Sequence, residues 1–153
     1  MKRVYLCGPI SGLTYDRAVE SRRSLSERFS ELGIEALSPM RGKLSYVESR
    51  KEIMATRGYK DVMRNDKAIV NRDRNDVMTC DLMFADLMHA TRVSIGSMVE
   101  FGWADAFRKP IVTLVEEGSL HDHAFVHQLS TYVTDDIEEA VSLTLHLLNT
   151  RSK

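Results

Sequence analysis

The residues of this chain best suited to chemistry lie in Ser94-Ile95-Gly96-Ser97-Met98-Val99-Glu100-Phe101-Gly102. The stretch follows the apolar run Leu82-Met83-Phe84-Ala85, which has strand character. It opens an apolar helix expected over Met98 to Phe107 and stopped at Lys109-Pro110. The Glu100 carboxylate is therefore expected in the first turn of a helix that starts just past a strand end. Gly96 and Ser97 stand in front of it and let a ligand approach the backbone, where a helix start attracts anions. The spacing has a plainer reading as well. Ser97-x-x-Glu100 is a capping box, in which serine and glutamate satisfy each other's amides and need no further purpose. Chemistry is favoured because other polar residues of the chain are expected to end at the same place.

Those residues are positioned by elements that alternate. Arg3-Val4-Tyr5-Leu6-Cys7 is a short apolar strand, ended by the small-residue turn Gly8-Pro9-Ile10-Ser11-Gly12. From Asp16 to Leu32, Ala18, Leu25, Phe29 and Leu32 recur on one helical face, and Gly33 suits the helix end. Ile34 to Leu37 is a second strand, so the sheet is expected to be parallel. Ser38 to Val70 is irregular and charge-rich, with a basic turn at Met40-Arg41-Gly42-Lys43; its length suits a lid or binding loop. A helix is expected over Asn71 to Cys80, capped by Asn71 or Asp73, with Val77, Met78 and Cys80 inward. Asp81 to Ala85 is a third strand, ended by Asp86, and Ile111 to Val115 a fourth, buried on both faces. His121-Asp122-His123 lies in a polar loop; two histidines one apart, without another clear ligand, do not make a metal site. Tyr132-Val133 is a fifth strand. Asp135 or Asp136 caps a last helix with Ile137, Val141, Thr144 and Leu148 on one side.

Five strands alternating with helices predict an α/β, flavodoxin-like, doubly wound parallel sheet of order 2-1-3-4-5. Ligands of that fold sit at the carboxyl ends of strands one and three. The Gly8–Gly12 turn and the Glu100 helix should then face each other across one crevice. The 153 residues suit one domain, 1–153, with the insertion at about 38–70. A net charge of -1 gives no bulk attraction to polymeric nucleic acid or to a membrane. Cys7 and Cys80 lack metal spacing and read as reduced core residues. With no signal-peptide pattern and no apolar run near ~18 residues, a cytoplasmic location is expected.

Three blocks resemble the nucleoside 2-deoxyribosyltransferase family, including its 2'-deoxynucleoside 5'-phosphate N-hydrolases. They are Val4 to Gly12, Arg72-Asp73-x7-Asp81, and Ser94-x-Gly96-x3-Glu100-x-Gly102-x-Ala104. The resemblance covers most of residues 3 to 115 outside the Ser38–Val70 segment. It implies cleavage of the bond between a sugar carbon and a nucleobase nitrogen. Glu100 would attack the anomeric carbon to form a glycosyl ester, resolved by water or a second base, as in a retaining glycosidase. It implies that Tyr5 orients Glu100 and that Asp73 serves as general acid at the leaving base; outside the resemblance these are a core aromatic and a helix cap. Gly8, Ile10, Ser11, Gly12, Ser94, Gly96, Ser97, Met40 and Arg41 are the substrate-binding candidates.

Ser94 departs from the transferases of free nucleosides that it resembles, which often carry an aspartate six positions before the glutamate. A hydroxyl beside helix-start amides attracts a phosphate that a carboxylate would repel, so a 5'-monophosphate is expected over a free nucleoside. Pro9 and Ser11 replace residues that in some relatives include a phosphate-contacting arginine; Arg41, Lys43 or Arg92 is the candidate to take its place. No metal or organic cofactor is implied. Phe101, Trp103 and Phe107 point in several directions from one helix, and family members assemble, so at least a homodimer is expected. Two alternatives use the same fold. One is a nucleotide-sensing module without turnover. The other is a phosphoacceptor receiver domain, for which Cys7-Gly8-Pro9 supplies no acidic cluster.

Overall fold

The computed structural model describes residues 1–43 and 65–150. Ten elements alternate along the chain: β1 (Lys2–Cys7), α1 (Tyr15–Glu31), β2 (Ile34–Leu37), α2 (Asp66–Thr79), β3 (Leu82–Asp86), α3 (Ile95–Ala106), β4 (Ile111–Leu114), α4 (Ala124–Leu129), β5 (Tyr132–Thr134) and α5 (Ile137–Thr150). The strands form one sheet in the order β2-β1-β3-β4-β5, and every pairing is parallel. This is the expected doubly wound arrangement, with the order reversing between β1 and β3. No helix among the described residues is long and apolar enough to cross a membrane.

Alternation along the strands divides the core into two layers. Val4, Leu6, Leu82, Phe84, Val112 and Leu114 face Leu25 and Phe29 of α1 and Val141 and Leu148 of α5. Phe29 and Phe84 meet edge to face at 5.5 Å between centroids. Tyr5, Cys7, Met83, Ala85 and Ile111 face the other way, onto Val77 of α2, Phe101 and Ala104 of α3, and Val126 of α4. The polar tips of Tyr5 and Cys7 are thereby buried on the side that carries α3.

Several boundaries differ from the sequence expectation, for local reasons. Helix α3 starts at Ile95, with Ser94 as N-cap: the Ser94 hydroxyl accepts from the Ser97 amide at 3.3 Å and from the Ser97 hydroxyl at 2.8 Å. Ser97 therefore lies inside the helix, and Glu100 sits in its second turn. Helix α2 starts at Asp66, capped by Asn65, whose side chain accepts from the Ala68 amide at 3.1 Å. Asn71 and Asp73 are interior to it, and Met78 is exposed while Val77 and Cys80 are buried. Leu32 is exposed at the end of α1, where Gly33 takes φ +74°. Within the expected insertion at 38–70, residues 38–43 form turns and 65–70 belong to the cap and start of α2. The lid expected between them, at 44–64, lies outside the described residues. The polar loop around His121 contains the six-residue α4, begun by His123, whose Nδ1 accepts from the Phe125 amide. Asp136 caps α5 through the amides of Glu138 and Glu139.

Candidate active site

Strand alternation points Tyr5 across the sheet's crest, and helix periodicity turns Glu100 of α3 toward it. The Tyr5 hydroxyl donates to Glu100 Oε1 at 2.7 Å, joining residues 95 positions apart. Cys7, two residues along the same face, adds its thiol as a second donor to the carboxylate. With Ser94 as the cap, the capping-box reading of Glu100 falls; its carboxylate is committed to β1 instead. Glu100 is half-buried. Burial pushes its pKa up to about 7, against the pull of the Cys7 and Tyr5 hydrogen bonds; the nearby Asp73 charge raises it and Arg22 lowers it. Burial, and then the Glu100 charge, push the Tyr5 and Cys7 pKa values well up, so both remain protonated donors at neutral pH.

Asp73 lies on the buried side of α2, one residue from Arg72. The Arg72 Nε and Nη2 groups donate to Asp73 Oδ1 at 2.9 and 2.7 Å. The same guanidinium donates to the carbonyls of Arg41 and Pro39, both at 2.6 Å. Arg41 in turn bridges both oxygens of the buried Asp76, at 2.6 and 2.5 Å. Two arginines therefore stitch the turn after β2 onto α2. Burial raises the Asp73 pKa, opposed by Arg72 and Lys43. Lys43 is itself buried, and desolvation lowers its pKa to about 8 while the Asp73 charge holds it up. Of the two candidates named in this turn, Arg41 has its guanidinium on Asp76, and Met40 is buried against Ala18.

The Gly8–Gly12 turn follows β1 directly, and Arg92, just before α3, lies over it. A Cβ on Gly8 would stand 2.5 Å from the Asp86 carbonyl, so only glycine lets β1 leave the sheet this close to the end of β3. Gly12 has φ +91°, and the Arg92 side chain lies over it: a Cβ there would be 2.7 Å from Arg92 Nε. Ile10 is half-buried against Met40, and Ser11 is exposed. At the start of α3, the Ser94 amide donates to Nε2 of the buried His121 at 3.0 Å. Burial lowers the His121 pKa, which keeps the ring neutral and Nε2 an acceptor. The Ser97 amide is taken by the cap and Ser97 itself is buried, while Gly96 is exposed at the positive end of α3. His121 and His123 thus serve α3 and α4, and no group of three potential metal ligands occurs among the described residues. Asp81 accepts from the Arg3 amide at 2.8 Å and Asp86 from the Met88 amide at 3.1 Å; both fasten the ends of β3.

Sequence reasoning missed Cys7 as a partner of Glu100, the burial of Lys43, the Asp76 bridge, and Arg22. A signal for Arg22 existed: it falls on the stripe Ala18-Arg22-Leu25-Phe29, where a charge is out of place.

The nucleoside 2-deoxyribosyltransferase family model matches residues 4–142. A search of curated protein sequences gives no match. Similar solved structures include the CMP N-glycosidase BcmB of Clostridium botulinum, at 20% identity and TM-score 0.58, covering 95% of this chain and 99% of that one. The 2-deoxyribosyltransferase of Bacillus psychrosaccharolyticus has 14% identity and TM-score 0.65, over 90% and 88% of the two chains. That of Leishmania mexicana has 17% identity and TM-score 0.64, over 95% and 98%. These likenesses fix the fold, and the family model, spanning most of the sequence, fixes the lineage: the chain belongs to the nucleoside 2-deoxyribosyltransferase family.

Proposed function

We propose that the protein cleaves the N-glycosidic bond of a (deoxy)nucleoside 5'-monophosphate through a glycosyl ester on Glu100. The observation that carries this reading is the Tyr5–Glu100 hydrogen bond of 2.7 Å at the point where the strand order reverses. A buried phenol that donates to one oxygen leaves the other to attack the anomeric carbon. The C–N bond then breaks with its electron pair leaving on the base, which takes a proton from Asp73. Asp73 suits that role because burial favours its protonated form. Water, or a second base, next attacks the ester carbon, Glu100 leaves as carboxylate, and the proton released returns to Asp73.

The 5'-phosphate end is assigned to the Gly8–Gly12 turn, the Ser94 cap, the start of α3 and Arg92, where partial and full positive charges converge and no carboxylate stands in the Ser94 position. Matched assays of deoxynucleosides and their 5'-monophosphates test this. The monophosphate is expected to react at least about tenfold faster in kcat/KM. Faster turnover of the free nucleoside would reverse the assignment, and base exchange in the presence of free base would distinguish transfer from hydrolysis.

Self-association belongs to the same reading. Val93, Leu120 and Phe125 stand 55%, 54% and 72% exposed around an apolar groove of about 400 Å³ between α3 and α4, and Ile95 beside it is 79% exposed. Light scattering is expected to give at least twice the 17.4 kDa chain mass, and Phe125→Asp to lower it. A monodisperse wild-type monomer would refute self-association.

A further inference from the structure

Arg22 is the charged member of the buried stripe of α1, and it is only 6% exposed. Its Nη2 donates to the carbonyls of Gly8 at 2.8 Å and Pro9 at 3.2 Å, and its Nη1 to that of Ala18 at 3.2 Å. Its Nε is buried with no partner among the described residues. None of the ion pairs among the described residues includes it. A guanidinium is costly to bury, and a carboxylate partner would cancel its charge as well as satisfy its donors. Here neutral carbonyls take its hydrogen bonds, and the Asp86 and Glu100 carboxylates act on it through space without pairing with it, so the fold keeps a guanidinium under the turn that ends β1. Two successive carbonyls drawn toward that charge face into the protein. The amides of Ser11 and Gly12, which follow, donate to no acceptor among the described residues. Arg92 over Gly12 and the start of α3 bound the same space.

We propose that Arg22 is a positioning residue for anion binding: by holding the Gly8 and Pro9 carbonyls beneath the turn, it presents the amides that follow to an oxyanion in the crevice. Its buried charge adds to their attraction, and it touches neither the anion nor the reacting carbon. A lysine cannot replace it, because an ammonium is a point charge whereas the planar guanidinium spans two carbonyls at once. This inference rests on the phosphate-ester part of the function proposed above. The charge also reaches the reacting end, where Arg22 lowers the pKa values of Cys7 and Glu100.

The test titrates inorganic phosphate into wild type, Arg22→Lys and Arg22→Gln, following the amide resonances of Ser11, Gly12 and Gly96. It also measures kcat and KM for a deoxynucleoside 5'-monophosphate. Arg22→Lys, which keeps charge and loses the fork, is expected to weaken phosphate binding about five- to tenfold. KM should rise by a similar factor, with kcat within about threefold of wild type. Arg22→Gln should weaken binding further, and if it does not fold, the lysine variant decides. Phosphate binding by Arg22→Lys equal to wild type would reduce the role to charge alone and overturn the positioning argument. So would a wild type whose turn amides ignore phosphate. Phosphate binding that depends on Arg22 in a wild type without glycosidase activity would sink the proposed reaction and leave the positioning role standing.

Discussion

Glu100→Gln is expected to lower kcat/KM by about 10³- to 10⁵-fold while substrate binding survives. The amide keeps the shape of the side chain and still accepts from Tyr5, so only the negative oxygen is lost. The same change should stabilise the fold, and the pH dependence of that gain identifies its cause. Burial raises the Glu100 pKa from 4.5 to about 7, so the folded chain holds this proton more tightly than the unfolded chain. A carboxyl raised in this sense favours folding below pH 4.5, and that contribution is lost as pH rises through 7. At 1.36 kcal/mol per unit, the ionised side chain costs roughly 3 kcal/mol at most above pH 7. The melting temperature of Glu100→Gln should therefore match wild type near pH 4.5 and exceed it by several degrees at pH 8. Had Glu100 merely capped its helix, the substitution would destabilise the protein and leave any activity intact. Retention of more than a few per cent of wild-type turnover would remove Glu100 from the centre of the reaction.

The sheet was legible because its strands are short apolar runs separated by glycine turns and helical periodicity, and few folds thread five such units. The pairing of Tyr5 with Glu100 was not legible from local pattern. It depends on the parallel register that sets Tyr5 opposite Met83 and on which face each strand residue takes, a long-range property. Resemblance supplied it, and alternation along β1 explains it. The start of α3 was misjudged because Ser94 and Ser97 are equally good cap residues three positions apart. Choosing the second moved Glu100 from the second turn to the first and made a capping box out of a coincidence. The start of α2 was misjudged in the same way: Asn65, Asn71 and Asp73 all have cap chemistry, and only packing of Ile69 and Val77 decides among them. Arg41 read as a free cation because its partner, Asp76, lies 35 residues away on another element. The role of Arg22 was not legible because its partners, the Gly8 and Pro9 carbonyls, are backbone groups that leave no mark in the sequence, and an arginine on a helix is ordinarily solvated.

The acid limb of the pH–rate profile should be set by the group that must lose its proton to attack. With the Glu100 pKa at about 7, kcat/KM is expected to fall toward tenfold per pH unit below it, and about 50-fold between pH 7 and pH 5. Activity and stability then move in opposite directions through the same titration, since the ionised form that reacts is the one burial opposes. Tyr5→Phe separates the forces at work. It removes a hydrogen bond that holds the Glu100 pKa down and leaves the burial that pushes it up. The acid limb should therefore shift to higher pH by about one unit. The plateau should fall about 10- to 100-fold as the carboxylate loses its orientation. Were Tyr5 only a core aromatic, the phenylalanine variant would keep both the plateau and the limb. Cys7→Ala should move the limb the same way by less, because a thiol is the weaker donor. An acid limb near pH 4.5 in wild type would mean that the carboxylate meets water freely, and that its burial is not what prepares it to react.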